Sequence, residues 1–121
     1  SDGLRRTEDV LERVGLADRM DHFPGQLSGG EQQRVSIARG LVKDPPLMLC
    51  DEPTGSLDVE SGISILDLLR DVTREGERSV LIVTHNSVTA KMADRVIRLR
   101  DGQVIDQETN PSPADPEQLD W

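Results

Sequence analysis

Apolar residues along the chain fall into two kinds of pattern, and the two alternate. Over 7–16, TEDVLERVGL, Val10, Leu11 and Val14 share one face of a helix, and Gly15 is a natural stop. A second helical run begins after Ser28, carries Val35, Ala38, Leu41 and Val42 on one side, and ends before Pro45 and Pro46. Ser28 with Glu31 three residues on is a capping box, in which hydroxyl and carboxylate each satisfy a backbone N–H of the first turn. The apolar run LMLC then leads into Asp51 and predicts a strand buried on both faces, as in a parallel sheet.

A third helix is predicted from about 59 to 73, with Ile63, Leu66 and either Leu68 or Leu69 facing inward. A polar turn over 74–79 separates it from SVLIVTH, a second buried strand with His85 just past its end. A short helix around 87–93 precedes RVIRLRDGQVI, whose Asp101-Gly102 pair predicts a hairpin. From Gln107 the chain carries three prolines and several acids, the composition of a tail without fixed structure. Strands alternating with helices of this length predict an α/β fold with a parallel sheet and right-handed crossovers. In such sheets chemistry collects at the carboxyl ends of the strands. Asp51, Glu52 and His85 all fall there.

Composition narrows the function. At 121 residues there is room for one domain with a core, and with one Phe, one Trp and no Tyr that core is aliphatic. The net charge of −9 argues against general adhesion to nucleic acid or anionic lipid. Cys50, the only cysteine, sits in an apolar run and reads as a small buried hydrophobe in a reducing compartment. The apolar runs are far too short to cross a bilayer, so a cytosolic protein is expected, with any membrane contact made through a partner.

Several groups have the chemistry of a phosphate site. Ser28, Gly29 and Gly30 open a helix, where N–H groups lack internal partners and glycine lets an anion approach closely. Taken alone, the same loop is an ordinary capped helix. Asp51 ends an apolar strand, where a carboxylate calls for a counter-charge such as Mg²⁺, and Glu52 beside it can polarise a water; two acids opening a loop can also simply be solvated. His85 can hydrogen-bond a phosphate oxygen or hold a water, or cap its strand for structural reasons. Asp58 follows Gly55, Ser56 and Leu57 and is placed to cap the third helix. Arg34 and Arg39 fall on the polar side of their helix and are expected in solvent.

The order of these pieces is more specific than any one of them. LSGGEQQR, a helix, an apolar strand into DEP, then SLD, a helix, and an apolar strand into TH resembles the ATP-binding subunit of ABC transporters. The resemblance implies that Leu27, Ser28, Gly29 and Gly30 form the signature motif and that 47–51 is the Walker B strand. It further implies that Asp51 serves Mg²⁺, Glu52 is the catalytic glutamate, Ser56-Leu57-Asp58 is the D-loop and His85 the switch histidine. Glu31 stands where the family often has glutamine, a departure that keeps the capping box. EPTGSLD, VTHN and ADRVIRLRDGQVI look most like the lipoprotein-releasing, macrolide-exporting and cell-division branch.

The implied fold is a P-loop NTPase (RecA-like) core lacking its Walker A strand. Residues 1–45 would end the helical subdomain, 46–106 would run from Walker B to the C-terminal hairpin, and 107–121 would be the tail. The family's phosphate loop has the form GxxxxGK[ST], yet Lys43 and Lys91 are the only lysines and neither follows a glycine. The expectation is therefore the C-terminal portion of a longer ATPase, with ATP and Mg²⁺ as cofactors and no turnover by this chain alone. A second ATPase subunit would complete a composite site, and a transmembrane permease would recruit the pair to the inner face of the membrane. The signature would act in trans, on ATP held by the opposite subunit. A complete small protein that completes or regulates another ABC ATPase is the alternative; a DNA-repair ATPase fits less well, since no sustained heptads appear.

Overall fold

The computed structural model describes residues 2–75 and 78–120. Its elements run α1 (Asp2–Arg13), α2 (Gly29–Leu41), β1 (Leu47–Asp51), α3 (Val59–Arg74), β2 (Ser79–Val83), β3 (Arg95–Arg100) and β4 (Gln103–Thr109), with short 3₁₀ turns between them. The chain divides into two compact units, Ser1–Val83 and Thr84–Trp121. The break falls after β2. Within the first unit α2 packs into the same core as α3 and β1.

In the first unit β1 and β2 pair in parallel, with Met48 opposite Val80, Cys50 opposite Ile82 and Asp51 opposite Val83. Period-2 alternation puts Met48, Cys50, Val80 and Ile82 on one face, and these pack on the helices. The core beneath them is aliphatic, as composition demands: Val14, Leu16, Ile37, Leu41, Ile65, Leu69 and Val72 are all buried. The strands were expected to be buried on both faces, and they are not. Leu47, Leu49, Leu81 and Val83 are 48–70% exposed, since among the described residues helices cover one face of this sheet only. On α3 the inward residues include Ile65 and both Leu68 and Leu69, while Ile63 is only half-buried. α1 starts at Asp2, earlier than the periodicity from Thr7 indicated, and stops as predicted where Gly15 adopts φ +81°. Residues 76 and 77 of the expected polar turn lie outside the described residues.

In the second unit β3 and β4 form the predicted hairpin. Asp101 (φ +51°) and Gly102 (φ +77°) make its two-residue turn, and a bulge lies between the Arg98–Asp106 and Leu99–Val104 pairs, with Ile105 the extra residue. The tail does not behave as its composition suggested. β4 continues to Thr109, and Lys91 O accepts both Ala114 N–H (2.9 Å) and the Asn110 side-chain amide (3.0 Å). Pro116 and Leu119 are buried, so a few apolar contacts and backbone bonds fix the segment despite its acids and prolines.

Arg34 also departs from expectation. Rather than sitting in solvent, its guanidinium donates to Val14 O (2.8 Å) and to the Ser64 hydroxyl, tying the end of α1 and the flank of α3 to α2. Val14 is fully buried. Arg34→Met should therefore destabilise the chain by about 1–3 kcal/mol, the cost of leaving a buried acceptor unpaired. Arg34→Lys should not restore it, because one ammonium cannot reproduce a two-armed fork; urea unfolding of the three proteins checks this.

Candidate functional site

Two helix N-termini and one strand end make the site in the first unit. At α2, Ser28 is the N-cap with extended backbone (φ −66°, ψ 167°). Its Oγ accepts Glu31 N–H at 3.1 Å, while Glu31 Oε1 accepts Ser28 N–H at 2.9 Å, which completes the predicted capping box. The hydroxyl is used only as acceptor in the cap, so its proton can still be given to an oxygen of a ligand. Gly29 and Gly30 are the first two helical residues, where N–H groups point out of the helix without intrahelical partners. The loop ahead is braced by Gln32, whose side-chain amide donates to Pro24 O (3.0 Å) and Leu27 O (3.2 Å).

At α3, Asp58 caps in the same backbone conformation (φ −65°, ψ 165°) and its carboxylate accepts Ser61 N–H at 3.3 Å. The two starts touch. A Cβ on Gly29 would lie 3.4 Å from Leu57 Cδ2, and one on Gly30 would lie 3.4 Å from Ser61 Cβ and Oγ. Glycine at both positions thus allows close approach on the protein side as well as toward a ligand.

Between them lies the loop that leaves β1. Asp51 is exposed at the strand end and Glu52 is half-buried. Glu52 has φ +48°, a left-handed conformation that glutamate rarely adopts. Its N–H donates to Val83 O at 2.7 Å and its carbonyl accepts Gly55 N–H at 3.1 Å, so a turn folds back at once. Pro53 is buried, and its carbonyl accepts the Gln33 side-chain amide at 3.0 Å. Sequence reading missed Gln33: a glutamine on a helix carries no periodic signal, and its partner is twenty residues away.

The structure thus brings Ser28, Gly29, Gly30, Glu31, Asp51, Glu52 and Asp58 into one unit. It places His85 in the other, exposed, in a turn where the Thr84 hydroxyl accepts Asn86 N–H (3.0 Å) and Asn86 Oδ1 accepts Val88 N–H (3.0 Å).

Electrostatics follow from the caps. The Ser28 backbone N–H above all, with its hydroxyl bond and Arg19 at 3.1 Å, holds the Glu31 carboxyl below the usual carboxylate range, against the opposing effect of desolvation. Ser61 does the same for Asp58. Burial alone pushes the Cys50 thiol up, consistent with an inert packing role. No cluster of three or more His, Cys, Asp or Glu side chains able to cage a metal exists among the described residues. Asp51 and its neighbour still suit Mg²⁺, which keeps most of its waters and takes one or two carboxylates beside substrate phosphates.

With this geometry in view, similarity to known proteins becomes specific. Residues 3–55 match the ABC transporter family. The chain is 53% identical over 112 residues to the macrolide export ATP-binding/permease protein MacB 1/2 of Paracoccus denitrificans, covering 92% of this chain and 17% of that protein. It is 50% identical over 102 residues to the lipoprotein-releasing system ATP-binding protein LolD of Syntrophus aciditrophicus, covering 84% of this chain and 46% of the relative. Among solved structures it is similar to the ATP-binding cassette MJ0796 in a dimeric post-hydrolysis state bound to ADP and Pi. That likeness has TM-score 0.75 and 40% identity, over 89% of this chain and 47% of the other. The cassette MJ1267 shares the fold at TM-score 0.85 and 22% identity, over 97% of this chain and 45% of the other. The chain thus carries an ABC transporter match over residues 3–55, is homologous to MacB and LolD ATP-binding proteins, and shares the P-loop NTPase fold of ATP-binding cassettes. It spans less than half the length of these relatives.

The caps yield a pH-dependent test. Asp58 has a lowered folded-state pKa, so its contribution to stability is complete above the unfolded carboxylate value of about 4 and fades as pH falls through the lower folded value. Asp58→Ala should therefore be less stable than the parent at pH 7, and the gap should close as acid titrates the carboxylate. Unfolding midpoints of the two proteins between pH 7 and pH 2 measure it.

Proposed function

We propose that this chain provides one subunit's share of a composite ATP site in an ABC ATPase that powers a membrane permease. The observation that carries this is the capped Ser28, Gly29, Gly30 turn packed on the loop 52–58, at the carboxyl end of β1. The first-turn N–H groups and the Ser28 hydroxyl would receive the γ-phosphate of ATP held by an opposing subunit. Glu31 keeps the cap but brings a negative charge, which the Ser28 N–H and Arg19 offset.

Asp51 would hold Mg²⁺ beside the phosphates, largely through water, and Mg²⁺ when bound would neutralise phosphate charge. Glu52 is assigned as general base toward the attacking water, His85 as a contact to the γ-phosphate, and Asp58 as a link between the two nucleotide sites of the dimer. The likeness to a dimeric cassette bound to ADP and Pi supports the composite arrangement. Likeness to MacB and LolD supports export or lipoprotein release as the transport process. No described helix is long and apolar enough to cross a membrane, so the permease would bring the chain to the cytoplasmic face. These 121 residues contain no GxxxxGK[ST] loop, and we assign them no turnover on their own.

In a complete cassette carrying this segment, Glu52→Gln should leave ATP binding intact and lower kcat by about 100-fold or more, the usual weight of a positioned general base. Equilibrium binding of labelled ATP and steady-state phosphate release read the two quantities separately. Undiminished turnover would remove Glu52 from the mechanism.

A further inference from the structure

Glu52 holds a backbone conformation that costs free energy, and such a conformation persists only where its neighbours over-determine it. Three hydrogen bonds do so here. The Glu52 N–H is fixed by Val83 O at 2.7 Å, and the Glu52 carbonyl by Gly55 N–H at 3.1 Å. The next peptide carbonyl, that of buried Pro53, is fixed by Gln33 Nε2 at 3.0 Å. Proline has no N–H, so this carbonyl is the only backbone group through which residue 53 can be anchored by a hydrogen bond. Two of the three bonds are internal to the strands and the turn. The third comes from α2, the helix whose first turn is Ser28, Gly29 and Gly30.

We propose that Gln33 is a positioning residue for the water-activating carboxylate, acting through the Pro53 carbonyl and tying the posture of Glu52 to the helix that presents the phosphate-binding turn. This rests on the assignment of Glu52 as general base. A tilt of α2 on engaging a phosphate would pull on Pro53 directly through this bond. Gln33 acts through one amide N–H given to Pro53 O, not by touching the reacting atoms.

The test compares Gln33→Met, which keeps length and removes the donor, with Gln33→Lys, which keeps a donor of similar reach. In a complete cassette carrying this segment, Gln33→Met should lower kcat about tenfold or more with KM for ATP changed less than about twofold, the signature of a displaced catalytic group. Gln33→Lys should recover most of the loss. In the 121-residue chain, Gly55 amide exchange should accelerate in Gln33→Met and return toward the parent rate in Gln33→Lys. Unchanged Gly55 exchange in Gln33→Met, or an equal loss of kcat in both variants, overturns the proposal. Should Glu52→Gln keep full turnover while Gly55 exchange responds as stated, the base assignment fails and the mechanical link stands.

Discussion

Two helix starts pressed together at the end of a strand set the rest of this molecule. Ser28 and Asp58 cap α2 and α3 in nearly the same backbone conformation, and Gly29 and Gly30 bring the first turn of one helix onto Leu57 and Ser61 of the other. A Cβ at either glycine would come to about van der Waals contact with these neighbours, and a longer side chain would stand between the N–H groups and a ligand. β1 delivers Asp51 and Glu52 to the start of the loop whose Leu57 lies beside Gly29.

The core explains why the arrangement is stiff enough to matter. Ile65, Leu69 and Val72 of α3 and Ile37 and Leu41 of α2 pack over Met48 and the even-numbered face of the sheet. Arg34 adds a polar tie from α2 to Val14 O and Ser64, and Gln33, the residue before it, adds one to Pro53. Adjacent residues on one helix thus hold the frame and the site respectively. Strain at Glu52 is tolerated because these surroundings leave the loop little alternative.

Much of this was legible in the chain. Ser28 with Glu31 announced a capping box, Asp101-Gly102 announced the hairpin turn, and the runs into Asp51 and His85 marked both parallel strands. What sequence reading got wrong has physical causes. An unbroken apolar run looks the same whether one face or two is covered, so the exposure of Leu49 and Leu81 left no local trace. Arg34 sits where helical periodicity puts solvent, but its side chain is long enough to reach the Val14 carbonyl. The tail was judged on its prolines and acids, whereas Pro116, Leu119 and the bonds to Lys91 O decide its order. The left-handed backbone at Glu52 had no sequence signal at all, since glutamate is not a residue that favours it.

In the proposed dimer the Ser28 turn serves another subunit's ATP while Glu52 serves its own, and mixed dimers of complete cassettes carrying this segment separate the two roles. One protomer would bear a blocking substitution at Gly30 and its mate Glu52→Gln. Under the account one of the two composite sites stays whole, so the mixed dimer keeps about half of the parent's turnover, whereas placing both changes in a single protomer abolishes it. Equal loss in the two arrangements, or survival of turnover only when both changes share a protomer, would contradict it.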